Sequence, residues 1–346
     1  MSETTYRNRR AHSIENEHLR IIVTVEGGHI ASIQDKVSGV NPLWSPPWPT
    51  IEPSAYDAAK HPEYGLNSES KLLAGIQGHN LCLDLFGGPS EAEAAAGMTV
   101  HGEASVLPYE FVSSAGALMQ RLKLPASQLH FERRIELSAG SRRIEITETV
   151  ENLSAWDRPV AWTQHVTLGP PFLEKGRTQF RASATKSKVI DGDFGKSYMK
   201  PGAEFYWPNV PDKTGGTVDM QTFTDVPASG AFTTHLMNQE REKAYFVAWS
   251  PESRIALGYV WSPRDFPWLG IWEENYGRET PPWNGKALTR GMEFGASPFP
   301  ESRRAMIDRG SLFGVPGYRW IPAHKQVEVR YSAFLEVWTT IPDSIQ

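Results

Sequence analysis

Residues 142–174 read RRIEITETVENLSAWDRPVAWTQHVTLGPPFLE, an alternating run, a polar turn and a second apolar run that presents one histidine. Ile144, Ile146 and Val150 share one face while Glu145, Thr147 and Thr149 share the other, the period of two of a half-buried strand. Asn152, Ser154 and Asp157 are turn formers, and Pro159 restricts entry into the next segment. His165 then ends a strand among aromatics and prolines. An imidazole on so rigid an element can do proton chemistry near neutral pH, or serve as a hydrogen-bonded structural residue.

The same pattern recurs outward from this stretch. Leu19–Val25 is an apolar-rich strand broken by Gly27 and Gly28, and His29–Gln34 is its return. Leu129, Phe131, Ile135 and Leu137 alternate with His130, Glu132, Arg134 and Glu136. Val327, Val329, Tyr331, Ala333, Leu335 and Val337 do the same near the C-terminus. With 29 Gly and 26 Pro as punctuation, the chain reads as an all-β protein of packed antiparallel sheets, with short helical pieces at 54–60, 68–74 and 90–96. No composition shift or repeat divides it, so residues 1–346 are expected to form a single domain.

Composition excludes several functions. A net charge of −5, with scattered Arg and Lys, does not suit a phosphate-backbone partner, so no nucleic acid is expected. A run of 18 apolar residues and a leader-like apolar stretch are both missing, so no membrane span is expected and a cytoplasmic location is the default. The single cysteine, Cys82 in LCLDLF, rules out an internal disulfide and reads as a small core residue. Phosphate-loop, zinc-protease, nucleophile-elbow and dinucleotide motifs are absent, so no cofactor is expected. The ten histidines never fall at i, i+2 or i, i+4, which offers no local metal pair.

What remains is separated histidines and carboxylates, with 12 tryptophans, on a β scaffold. Flat aromatic faces suit the apolar faces of sugars, and an acid/base pair suits ring or glycosidic oxygens. His101 and His79, each beside glycine, are candidate ligand contacts. Glu293, between Met292 and Phe294, either faces inward with a partner or a raised pKa, or points outward as an ordinary strand carboxylate. Trp272 and Glu273 in FPWLGIWEENYG, and Trp207 beside Pro208, are further candidates; the aromatics are sugar platforms or core. Glu273 and Glu274, as neighbours on a strand, face opposite ways and cannot form a hydrolytic pair.

The opening SIENEHLRIIVTVEGGHIASIQDKVSGVNPLW (13–44) resembles the first strands of aldose 1-epimerase (galactose mutarotase)-like proteins. The order His101-Gly102, then ENLS and a proline, then His165, then Glu293 in LTRGMEFGASPFPES, is also similar to that family. The resemblance implies a β-supersandwich whose concave face holds the site. It implies His165 as general acid toward a ring oxygen, Glu293 as general base at the anomeric hydroxyl, and His101 as an orienting group. VTLGPPF follows His165 where typical mutarotases have Tyr-Phe-Asn, and GIQGHNLCL stands where an Asn-Arg element is usual. The expected activity is isomerisation of a free monosaccharide; the alternatives are a non-catalytic carbohydrate-binding protein or sensor, and a polysaccharide hydrolase or lyase.

Overall fold

The computed structural model describes residues 1–114, 116–192 and 195–344. Two antiparallel sheets, of twelve and eight strands, carry most of the chain. The larger sheet has at its centre five neighbouring strands: His79–Asp84, Arg158–Leu168, Leu288–Gly295, Trp268–Asn275 and Ser229–Met237. The smaller contains Leu129–Glu136, Arg143–Asn152, Gln326–Val337 and Ile255–Trp261. The alternation read from the sequence is what closes them face to face: Phe131, Ile135, Ile144, Ile146, Val150, Val329 and Leu335 are all buried in one core with Leu81, Val166, Met292 and Phe294.

Helix is confined to short pieces: α1, Ser70–Gly75; α2, Glu91–Ala95; and α3, Arg303–Arg309. The stretch 54–60 carries only part of one 3₁₀ turn, Pro53–Ala55, because Pro53 starts the turn and Tyr56 already turns extended. The sequence reading had no counterpart for α3, which Ser302 caps by accepting from the Ala305 amide.

His165 lies inside its strand rather than at its end. The central five strands are buried on both faces, so their periodicity is masked in the sequence. One face meets the smaller sheet. The other is roofed by loops and short helices that bring Trp44, Trp48, Leu72, Leu73, Trp283 and Phe299 together in a second apolar cluster.

Candidate active site

Asn80, His165, Glu293, Gly270 and Thr234 are successive cross-strand partners, so all five share the roofed face. Gly291 and Gly295, two positions either side of Glu293, share it too. Glu293 therefore has glycine on three of its same-face neighbouring positions, Gly270, Gly291 and Gly295, and His165 on the fourth. A Cβ on Gly291 would come within 2.3 Å of Glu293 Oε1, so only glycine leaves the carboxyl this space.

Across that space, His165 Nε2 lies 3.0 Å from Glu293 Oε1. The approach is not aligned as a ring N–H bond, and Oε1 has no hydrogen-bond partner among the described residues. Both Asn80 side-chain heteroatoms are likewise buried and unpartnered. The other His165 nitrogen, Nδ1, sits 2.9 Å from Thr167 Oγ1, on the same face two residues along. His101 reaches the site from a loop, its ring centroid 4.9 Å from that of His165. It holds a left-handed backbone, φ 70°, and Gly102 follows at φ 79° where a Cβ would meet the Leu83 carbonyl at 2.2 Å. The His101 ring is fixed by donation from Nδ1 to the Phe86 carbonyl at 2.8 Å. That tautomer leaves Nε2 as an acceptor.

Of these groups, His101, His165 and Glu293 line a cavity of about 270 Å³, close to the lower end of the small-molecule range. Leu72, Leu73, Ile76, Phe86, Phe232, Trp272 and Trp283 form its apolar wall. Among the described residues, Arg278 is the only Arg or Lys lining the cavity; its guanidinium lies 4.7 Å from the Trp283 ring and 5.7 Å from the Trp272 ring. Glu69 and Glu274 approach it at 3.4 Å each.

Burial sets the protonation states. It pushes the Glu293 carboxyl well above its usual range, and no charge nearby offsets it. Burial pulls His165 well below its ordinary value, with the neighbouring His101 adding to the effect. His101 is pulled down to about 4, chiefly by burial. In the unliganded protein burial thus favours the neutral form of all three groups, imidazole for His101 and His165 and carboxylic acid for Glu293. Among the described residues, no group of three His, Cys, Asp or Glu side chains could hold a metal.

The structure brings His101, His165, Glu293 and Trp272 together, and leaves three other candidates elsewhere. His79 pairs with Val166 and so faces the smaller sheet, where Nε2 donates to Gln164 Oε1 (3.0 Å) and Nδ1 accepts from the Tyr259 hydroxyl (3.1 Å). Glu273 is one residue from Trp272 and thus on the opposite face, ion-paired with Arg290 at 2.8 Å and accepting from the Tyr198 hydroxyl at 3.1 Å. Trp207 packs edge-on to His235, centroids 5.2 Å apart, away from the cavity. Conversely, Trp283, Arg278 and Thr167 escaped the sequence reading. Trp283 lies in a Pro-rich loop, PPWNG, where an aromatic could have been flagged on the same grounds as Trp207.

Solved structures share this architecture. A Klebsiella pneumoniae protein described as a candidate aldose 1-epimerase is 16% identical, with a TM-score of 0.68 over 96% of this chain and 80% of that one. A galactose mutarotase-like protein from Clostridium acetobutylicum is 13% identical, with a TM-score of 0.63 over 97% and 98%. A galactose mutarotase-related enzyme from Lactobacillus acidophilus is 13% identical, with a TM-score of 0.61 over 96% and 99%. At these identities the likeness is one of fold: an all-β sandwich of the galactose mutarotase-like kind. No curated protein matches the sequence. The family model "Domain of unknown function (DUF4432)" matches residues 54–279, and the chain belongs to that family. The match includes His101 and His165 and ends before Glu293.

Proposed function

We propose that the protein is an aldose 1-epimerase-like isomerase, opening and reclosing the ring of a free sugar by acid/base chemistry between Glu293 and His165. The observation that carries this reading is the 3.0 Å approach of a buried imidazole to an otherwise unpartnered carboxyl in a tryptophan-walled cavity. Ring opening breaks C1–O5, delivers a proton to the ring oxygen and removes one from the anomeric hydroxyl. Closure on the other face of C1 reverses both transfers.

The resemblance implied His165 as acid and Glu293 as base. Burial favours the opposite resting assignment: protonated Glu293 gives to the ring oxygen, and neutral His165 takes the anomeric proton at Nε2. His101 Nε2 would accept from a sugar hydroxyl, and Trp272 and Trp283 would cover an apolar sugar face.

The test is anomer exchange by NMR across a set of free aldoses. At least one should equilibrate faster with the protein. His165→Ala and Glu293→Gln should each slow turnover by about 10²–10⁴-fold while leaving affinity within a few fold. The rate should fall on an acid limb below the ordinary histidine value of 6.5, as His165 protonates, and on an alkaline limb as Glu293 ionises. No acceleration with any aldose, together with calorimetric binding of a sugar, would replace the isomerase by a binding protein.

A further inference from the structure

The two site histidines are held in different ways. His101 Nδ1 meets a backbone carbonyl, which can only accept, so its proton has one place to sit. His165 Nδ1 meets the Thr167 hydroxyl at 2.9 Å, and a hydroxyl both donates and accepts. At its other nitrogen His165 meets Glu293, and a protonated carboxyl also offers one donor and one acceptor oxygen. Both neighbours of His165 can thus reverse their roles together. In one state Glu293 O–H points to Nε2 and Nδ1–H to Thr167. In the other the Thr167 O–H points to Nδ1 and Nε2–H faces the carboxyl oxygen 3.0 Å away, which the carboxyl must turn to meet because the contact is not aligned as a ring N–H bond. The proton count is equal in the two states; the ring gains a proton from water at one nitrogen and loses one from the other.

We infer that Thr167 is a positioning residue that leaves His165 free to change the nitrogen bearing its proton, whereas Phe86 locks His101. Resting on the isomerase reading, this would suit an oxygen that changes character. The anomeric oxygen is a hydroxyl in the closed sugar and a carbonyl in the open one, and Nε2 would present a lone pair to the first and an N–H to the second. Register supports the assignment: His165 and Thr167 project from one face, and Gly291, the cross-strand partner of Thr167, crowds it with no side chain.

The experiment is imidazole ¹⁵N NMR of the full chain, with His165 and His101 signals assigned by His165→Gln and His101→Gln. His101 should show one tautomer, protonated at Nδ1, and His165 shifts averaged between two. Thr167→Val should drive His165 to a single tautomer without moving His101. It should also lower kcat roughly tenfold at unchanged KM, and Thr167→Ser should restore both. One fixed His165 tautomer in the unsubstituted protein, or an unchanged spectrum in Thr167→Val, would overturn the inference. If the protein turns over no sugar, the isomerase reading fails while the nitrogen shifts still decide the role of Thr167. Should Thr167→Val fail to fold, the spectrum of the unsubstituted protein decides it alone.

Discussion

Gln164 and His165 are chain neighbours on one strand, both buried, and they face opposite environments. Gln164 enters a closed network between the sheets. Its amide donates to Glu148 at 2.7 Å, and its oxygen accepts from His79 and lies 3.0 Å from the Tyr331 hydroxyl, whose single proton it shares with the closer Glu148. Glu148 accepts from Arg133, Trp162, Gln164 and Tyr331, four donors at 2.7–2.9 Å. His165 faces Glu293, Asn80 and Thr234, where buried oxygens and nitrogens lack partners. A buried polar group with every bond made holds a fold together; one with bonds left open raises the free energy of the empty site and can be completed by a ligand.

The comparison breaks most readily at Arg133. Arg133→Met leaves the Glu148 carboxylate buried without its cation and should cost about 3–5 kcal/mol by denaturant unfolding, and adding Glu148→Leu should not recover it, because Trp162, Gln164 and Tyr331 then lose their acceptor. A loss under about 1 kcal/mol would mean the network is not structural. Next, His79→Leu should cost about 1–3 kcal/mol, because the Tyr259 hydroxyl loses its acceptor, and should leave any sugar response intact. A sugar-binding defect in His79→Leu would instead tie that face to the site.

Glu293→Gln should move the other way. Above the ordinary carboxylate value of 4.5 the unfolded chain ionises at this position while the folded one stays protonated, so native stability falls as pH rises until folded Glu293 ionises. The glutamine variant lacks that slope of about 1.4 kcal/mol per pH unit and should be the more stable protein at alkaline pH. Parallel curves for the two proteins would show Glu293 to be unperturbed. The smallest effect belongs to the wall: Trp272→Ala should weaken monosaccharide binding by about 0.5–1.5 kcal/mol in calorimetry, and Trp207→Ala should leave it unchanged.

Period-two patterning made the sheets legible, and the order of His101, His165 and Glu293 marked three residues that meet. What stayed hidden shares one cause. Arg133 and Glu148 interrupt the apolar faces 129–137 and 144–150, and a charge inside an alternating run looks like noise until the two strands are in register, Arg133 opposite Glu148. Residue type marks His79, Glu273 and Trp207 as candidates, His79 with a flanking glycine, Trp207 with a flanking proline and Glu273 beside Trp272. Their fate was decided by which face of a doubly buried strand, or which loop, carries them, and flanking residues do not encode that.

His165 and Glu293 are also direct partners across two strands far apart in sequence. A slip of one residue between those strands would send one of the pair to the opposite side of the sheet. On the isomerase reading, turnover would therefore double as an assay of assembly: during refolding it should return only in molecules whose central strands have locked into native register.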